Sequence, residues 1–202
     1  MRWAVVVPVK ELPVAKTRLD VPHREALALA MACDVVRAAA GCAVVDGVVV
    51  VTNDLRAAAA VEPLGARVVA DVSDAGLNPA LSDGARYARA LWPRHGVAAL
   101  ASDVPCVTPD DLADALREAA AYGTAVHADA RGDGTTLLTA SPGVALDPRY
   151  GAHSRHAHVA AGARQLTARA SLARDVDTPA DLEAAAALGV GPATRAALDS
   201  AR

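Results

Sequence analysis

The sequence predicts an α/β fold, a single-domain three-layer sandwich built around a mostly parallel β-sheet. Short, Val-rich apolar runs are typical of parallel strands buried on both faces, and here they alternate with Ala-rich helical stretches. This alternation predicts βαβ units. The 202 residues suit one domain, 1–202, because neither a linker nor a shift in composition divides them. A short, partly frayed helix is expected over 190–202.

The elements are predicted from these runs and from signals for helix starts. The six predicted strands are Trp3–Val9, Val48–Thr52, Arg67–Ala70, Val97–Ala101, Thr124–Ala128 and Thr136–Ala140. The predicted helices are Arg24–Ala40, Leu55–Leu64, Pro79–Trp92, Pro109–Ala121 and Pro179–Leu188. Three helices begin with a capping residue followed by proline, at Asn78–Pro79, Thr108–Pro109 and Thr178–Pro179. Asp111 and Asp181 stand where a capping box has its acidic residue, so we interpret these starts as structural.

The composition argues against several classes of protein. A net charge of −3 and a pI near 6.0 argue against a general nucleic-acid binder, because binding a phosphate backbone needs a basic face. No apolar run approaches the roughly 20 residues of a membrane span, and the first run reads as a strand rather than a signal peptide. Cys33, Cys42 and Cys106 lack CxxC spacing, which indicates reduced thiols in a cytoplasmic protein.

The lysines are the first indication of a site. The chain has only two, Lys10 and Lys16, and both follow the first predicted strand in a loop that also contains Arg18. Because arginine carries the side-chain positive charge elsewhere, these lysines indicate a place suited to a compact, strongly hydrated ammonium. Open α/β sheets bind ligands at the carboxyl ends of their strands. Three cations there predict polyphosphate binding, and the alternative is a solvated surface loop.

Three aspartates form the second candidate group. Asp103 follows the predicted strand Val97–Ala101, so it emerges at the same sheet edge as the lysine loop. Alternation along an extended segment puts Asp175 and Asp177 on one side. Carboxylate oxygens suit a hard cation such as Mg²⁺, which usually keeps water and substrate phosphates as further ligands. The alternative is that Asp103 is a loop or cap residue, and that Asp175 and Asp177 only mark the start of the helix that follows at Thr178-Pro179.

Three further segments carry weaker signals. The glycines of Ala130–Thr136 allow an anion to approach the backbone, and a tight turn between strands explains them equally well. In Tyr150–His158, the spacing of the histidines is not that of a zinc site, while the turn from Gly151 to Ser154 into a helix start suits an anion. Asn78 is either a helix cap or a residue that reads a base.

Taken in order, these motifs resemble the guanylyltransferases of coenzyme F420 biosynthesis, the 2-phospho-L-lactate and phosphoenolpyruvate guanylyltransferase family. The resemblance covers nearly the whole chain, and the ordered set is specific although single motifs are weak. One departure is Val104, since the family often has Asp-Leu-Pro at this strand end. The matching motifs are Pro8-x-Lys10, Ala15-Lys16-Thr17-Arg18-Leu19, Asp34-Val35, Gly76-Leu77-Asn78, Asp103-x-Pro105, Gly132-x-Gly134-Thr135-Thr136, Gly151-x-x-Ser154-x-x-x-His158 and Asp175-Val-Asp177-Thr178-Pro179.

The resemblance implies a fold, a reaction and a site. The fold is a relative of the nucleotidyltransferase and type-A glycosyltransferase α/β fold. The reaction transfers GMP from GTP to the phosphate of a three-carbon acid with Mg²⁺, or Mn²⁺, and releases pyrophosphate. It implies that Lys10, Lys16 and Arg18 are catalytic and contact phosphates, and that Lys10 and Lys16 bind the nucleotide together with Gly76 and Asn78. It implies that Asp103 is catalytic and binds the metal with Asp175 and Asp177. The acid would be bound by Thr135, Gly151 and Ser154.

The resemblance leaves the acceptor open. Phosphoenolpyruvate is favoured because the Arg- and Ala-rich composition is typical of a GC-rich bacterial genome; 2-phospho-L-lactate is next and 3-phosphoglycerate is also possible. Another nucleotidyltransferase of the same fold, acting on a sugar phosphate, and a non-catalytic nucleotide-binding relative are the alternatives. The family expectation is a homodimer, and a hand-off of the product to the next enzyme of the pathway is a candidate interaction. The cysteines indicate the cytoplasm, and charge and hydropathy predict neither nucleic-acid nor membrane partners.

Overall fold

The structure, a computed structural model, describes residues 1–16, 19, 21, 23–72 and 75–200, and its centre is a seven-stranded sheet. The strands are β1 (Trp3–Pro8), β2 (Val45–Val51), β3 (Ala66–Val69), β4 (Gly96–Leu100), β5 (Thr124–Ala128), β6 (Thr135–Ala140) and β7 (Arg164–Gln165). Their order in the sheet is β3-β2-β1-β4-β6-β5-β7. Only β6 runs antiparallel to its neighbours β4 and β5. The expected mostly parallel sheet is therefore confirmed, with β6 reversed and β7 as an unpredicted short strand.

Helices connect the strands. They are α1 (Arg24–Ala40), α2 (Leu55–Val61), α3 (Leu77–Leu91), α4 (Pro109–Ala119), α5 (Ser154–Ala160), α6 (Ala170–Ala173), α7 (Pro179–Leu188) and α8 (Pro192–Ser200), with short 3₁₀ turns at Leu12–Val14 and Glu62–Leu64. The bounds of α1 and α7 are those predicted, α5 begins where the Gly-x-x-Ser motif places a helix start, and α6 was not predicted. Across the described part of the chain, no helix is both long and apolar enough to cross a bilayer.

Two of the three expected threonine and asparagine caps are confirmed. Thr108 Oγ1 accepts a hydrogen bond from Asp111 N at 3.1 Å at the start of α4. Thr178 and Asp181 form a reciprocal capping box at the start of α7. These bonds satisfy backbone N–H groups that have no partner within the helix.

The expected cap at Asn78 is wrong, because α3 starts at Leu77, two residues before the predicted first helical residue, Pro79. Gly76 precedes it with a φ of 102°, a conformation that glycine adopts without steric cost and that turns the chain into the helix. The Asn78 side chain is therefore inside the first turn, where it bonds to the backbone of Tyr150.

Helices pack on both faces of the sheet, each through its own apolar cluster, and this gives the three layers. Successive side chains of a strand point to opposite faces, so Val5 and Val7 of β1 pack with α1, α2 and α4, while Ala4 and Val6 pack with α3. α3 can approach the sheet closely because the core residues between them are small. A Cβ on Gly84 of α3 would lie 2.6 Å from side-chain atoms of Val6 and of β2, so this helix rests directly on the sheet.

The C-terminal helix α8 is tied to α1 by one buried carboxylate. Asp34 accepts hydrogen bonds from Ala193 N at 2.9 Å and Thr194 N at 2.8 Å, and Arg37 Nη1 donates to it at 2.9 Å. A helix N-terminus favours negative charge. The helix expected in 190–202 thus spans Pro192–Ser200 with an anchored first turn, and residues 201–202 lie outside the described part.

Candidate functional site

A cavity of about 450 Å³ opens at the carboxyl ends of β1 and β4. Because β6 is reversed, its first residues lie at this same edge rather than at the opposite one. The polar residues around the cavity are Lys10, Lys16, Ser102, Asp103, Thr135, Thr136, Tyr150, Asp175 and Asp177. The cations and carboxylates predicted from separate segments of the sequence therefore share one cavity, apart from Arg18, which lies outside the described residues.

The segment with Asp175 and Asp177 is held against the end of β4 by its backbone. Val176 N donates a hydrogen bond to Asp103 O at 3.0 Å, and the Val176 side chain is fully buried among apolar residues. Since side chains alternate along an extended segment, the burial of Val176 directs both aspartates into the cavity. The expected grouping of the two aspartates on one side is thus what the structure has.

Lys16 lies between two of these carboxylates. Its ammonium forms an ion pair with Asp103 and another with Asp177, the latter at 2.7 Å. Burial acts to lower the pKa of Lys16, but the charges of Asp103 and Asp177 outweigh it, so the pKa is raised and the side chain stays charged. Its backbone has a φ of 54°, a left-handed conformation that costs a non-glycine residue about 1 kcal/mol or more. Such strain is often retained at functional sites.

Asp175 has the opposite surroundings. Burial, followed by the charges of Asp103, Asp129 and Asp177, raises its pKa to about 7. Burial and three acidic neighbours make the unpaired charge of this carboxyl group unfavourable, so binding a cation or a proton is favoured. Strong perturbation of this kind is more frequent at functional sites than elsewhere.

The chemistry of this group fits a hard divalent cation. Asp103, Asp175 and Asp177 offer carboxylate oxygens, which Mg²⁺ and Mn²⁺ prefer over nitrogen or sulfur, and the excess negative charge around Asp175 is what such an ion would neutralise. Among the described residues, no three acidic, histidine or cysteine side chains already form a metal-ligand cluster; the Lys16 ammonium stands between two of the aspartates instead. Their role as metal ligands remains a prediction.

The other wall of the cavity is held by hydrogen bonds behind the surface. Asn78 accepts from Tyr150 N at 2.7 Å and donates to Tyr150 O at 3.0 Å. The Tyr150 ring meets the imidazole of His158 edge to face at 5.2 Å. Both ends of the Asn78 amide are therefore used to place Tyr150, a cavity residue that the sequence analysis did not single out as part of the site.

The remaining predicted residues lie beside the cavity rather than on its wall. Ser154 is 2% exposed and donates to Thr135 Oγ1 at 3.2 Å, so it stands behind Thr135. Gly76 and Gly151 are exposed, with φ values of 102° and 144°. The glycine-rich segment forms the hairpin turn between β5 and β6, with Asp129 N donating to Gly134 O at 3.1 Å, which is the turn interpretation of that motif.

Three residues of the cavity were not predicted from the sequence, all for the same reason. Tyr150, Thr136 and Ser102 reach the cavity only because of how strands and loops pack. The signal available for Tyr150 was its rarity, since it is one of three tyrosines in the chain and precedes Gly151. Thr136 carried no separate signal, as it reads as an ordinary strand residue.

The fold and the charged cavity define a class, the nucleotidyltransferase-like α/β proteins. A putative nucleotide-diphospho-sugar transferase from Desulfovibrio desulfuricans superposes with a TM-score of 0.64 at 18% identity, covering 90% of this chain and 85% of that one. Rv0371c of Mycobacterium tuberculosis, in complex with manganese, superposes with a TM-score of 0.56 at 21% identity, covering 91% and 96%. At these identities the likeness establishes the fold.

Sequence comparison gives the family. Residues 3–200 match the family described as guanylyl transferase CofC like. The phosphoenolpyruvate guanylyltransferase of Thermomonospora curvata is 52% identical over 201 residues, which is 97% of this chain and 88% of that protein. The protein of the same description from Streptomyces coelicolor is 50% identical, covering 97% and 95%. The chain belongs to the CofC-like guanylyl transferases and is a nucleotidyltransferase.

Proposed function

We propose that this enzyme transfers the guanylyl group of GTP to the phosphate of phosphoenolpyruvate, with Mg²⁺, and releases pyrophosphate. The observation that carries the proposal is the single cavity in which two lysines and three aspartates meet. Such a cavity suits a reaction between two phosphate compounds, because both reactants are anions that must be brought together. The description of relatives about half identical to this chain as phosphoenolpyruvate guanylyltransferases supports the acceptor.

In the proposed reaction an oxygen of the acceptor phosphate attacks the α-phosphorus of GTP in line. The new P–O bond forms as the bond between the α-phosphorus and the bridging oxygen breaks, and pyrophosphate leaves with that electron pair. The attacking phosphate is already anionic near neutral pH, so no side chain has to remove a proton. Catalysis then depends on positioning the reactants and on offsetting their charge.

The residues of the cavity divide this work. Lys10 and Lys16 contact the triphosphate and stabilise the charge that develops on the leaving pyrophosphate, and Arg18 adds a third cation from the same loop. Asp103, Asp175 and Asp177 would hold the Mg²⁺. When bound, the metal supplies charge neutralisation between the two phosphates. Thr135 contacts the three-carbon acid, with Ser154 behind it and Gly151 at the adjoining turn, and Gly76 and Asn78 lie on the nucleotide side.

The wider setting is also part of the proposal. We place the reaction in coenzyme F420 biosynthesis in the cytoplasm, in a homodimer that passes its product to the next enzyme of the pathway. The alternatives for the acceptor are 2-phospho-L-lactate, 3-phosphoglycerate and a sugar phosphate. A non-catalytic binding protein is disfavoured, because nucleotide binding alone would not require all three aspartates and both lysines.

The test is pyrophosphate release from GTP with Mg²⁺, with each acid supplied separately and ATP and CTP as matched nucleotide controls. Release with GTP and phosphoenolpyruvate alone is the expected result. Release with another acid would correct the acceptor, and release with a sugar phosphate would favour the alternative enzyme class. Magnesium-independent GTP binding without any turnover would contradict the enzymatic proposal.

A further inference from the structure

A chain of hydrogen bonds behind the cavity wall connects the backbone of Arg149 through His158 to Thr135. His158, which is 1% exposed, is its centre. Arg149 N donates to His158 Nε2 at 2.8 Å, and His158 Nδ1 lies 3.0 Å from Thr135 Oγ1. Ser154 Oγ donates to Thr135 Oγ1 at 3.2 Å.

The backbone determines which nitrogen of His158 carries the proton. Nε2 accepts the Arg149 N–H and is therefore unprotonated. Burial lowers the pKa of His158, so the imidazole is neutral at pH 7 and its one proton is on Nδ1. Nδ1–H then donates to Thr135 Oγ1.

The consequence is a hydroxyl with a fixed direction. A threonine hydroxyl has two lone pairs and one hydrogen, and the lone pairs of Thr135 are taken by His158 and Ser154. Its hydrogen remains, and Thr135 lines the cavity. We propose that His158 is a positioning residue, which makes Thr135 a hydrogen-bond donor toward an anionic oxygen of the acceptor acid. This inference rests on the proposed function, since it assigns Thr135 to that acid.

The next residue of β6 provides a matched contrast. Thr136 also lies beside a buried histidine, His127, whose Nε2 accepts from Arg169 N at 3.0 Å. The Nδ1 of this ring, however, is nearer to the backbone oxygen of Ala128, at 2.9 Å, than to Thr136 Oγ1, at 3.2 Å. The Thr136 hydroxyl has only a long contact with the backbone oxygen of His127, at 3.5 Å. The histidine donor beside Thr136 is thus directed at the backbone, whereas the histidine donor beside Thr135 is directed at the hydroxyl.

The experiment is a double-mutant cycle on the KM for the acid, with His158→Gln and Thr135→Val. The glutamine amide reaches toward the Nε2 position and removes the donor beside Thr135. Each single variant should raise the KM for phosphoenolpyruvate about 10- to 100-fold, the usual range for a hydrogen bond to a charged group, while kcat and the KM for GTP change little. In the Thr135→Val background, His158→Gln should add less than about twofold, because residues that act through one contact are not additive.

Two further variants separate positioning from folding. His158→Asn keeps an amide N–H near the Nδ1 position and should restore most of the affinity for the acid. His127→Gln removes an equally buried histidine and should lower stability without changing the KM for the acid. Equal effects of His158→Gln in both Thr135 backgrounds, or failure of His158→Asn to restore affinity, would overturn the inference.

The nitrogen-15 shifts of the His158 ring in the free protein give a readout that needs no turnover. A protonated Nδ1 and a bare Nε2 are expected, and the reverse would overturn the inference even if the enzyme is active. If wild-type protein turns over no acid while Nδ1 is protonated, the proposed function fails and the assignment of Thr135 to the acid falls with it. The two failures are thus distinguishable.

Discussion

Two carboxylates of this molecule, the buried Asp34 and the half-buried Asp175, have opposite surroundings. Asp34 receives two N–H groups of α8 and one from Arg37, so its charge is fully provided with donors. Asp175 faces three other carboxylates, and burial together with their charges raises its pKa to about 7. The first arrangement satisfies a charge within the protein, and the second leaves a charge to be satisfied by something that binds.

The difference follows from what each side chain meets. The folded chain itself brings these donors to Asp34, so their hydrogen bonds stabilise the fold whether or not a ligand is bound. A carboxylate surrounded by its own kind is unfavourable in the free protein. That cost is recovered when a cation arrives, so groups like Asp175 favour binding over stability.

The largest effect should come from removing a charge on the cavity side. Asp103→Asn should lower kcat about 100- to 1,000-fold, the range seen when one group that stabilises transition-state charge is removed, while the unfolding midpoint stays near that of the wild type. Turnover and thermal unfolding of the same preparation check this. Asp114→Asn, at an exposed aspartate of α4, is the matched control and should change neither. Near-normal turnover of folded Asp103→Asn would remove Asp103 from the site.

Removing the satisfied carboxylate should have the reverse pattern. Asp34→Ala leaves the N–H groups of Ala193 and Thr194 without their acceptor and should cost about 2–3 kcal/mol of stability. Urea unfolding measures that loss, and the kcat of the folded fraction should be unchanged. A comparable loss of kcat would mean that α8 shapes the site, and the contrast between the two carboxylates would not hold.

The smallest effect concerns the metal and sharpens the comparison. Adding Mn²⁺ to chelator-treated protein should stabilise it, by about 1.4 kcal/mol at ten times the Kd, because the ion binds the folded state. Asp34→Asn should gain the same increment, whereas Asp103→Asn should gain little. Unfolding midpoints with and without the metal are the measurement. An equal gain in Asp103→Asn would place the metal elsewhere.

Much of the fold was accessible from the sequence because strands buried on both faces leave a plain signal. The predicted run Thr124–Ala128 is β5 without change, and Arg24–Ala40 is α1. The reversal of β6 was not accessible, since an apolar run carries no information about its direction in a sheet. β7, two exposed residues paired with β5, was too short and too polar to give a pattern.

The candidate site divides in the same way. Lys10, Lys16 and Asp103 could be grouped beforehand because each follows a strand, and parallel strands end at one edge. Asn78 and Ser154 could be named but not placed. Their side chains bond to Tyr150 and Thr135, partners 72 and 19 residues away along the chain, and such pairings exist only after the layers have packed.

The sequence by itself determined most of the strands and helices, the three-layer class and the segments that bear charge, because these depend on periodicity and on local residue chemistry. Tertiary structure alone decided the direction of β6, which brings Thr135 to the cavity edge, and the fate of each polar hydrogen around it. The physical reason is that a hydrogen bond or a pKa depends on which distant groups come within a few ångströms. Asp34 and Asp175 are residues of the same type, and only their spatial neighbours make one an anchor for α8 and the other a candidate binding site.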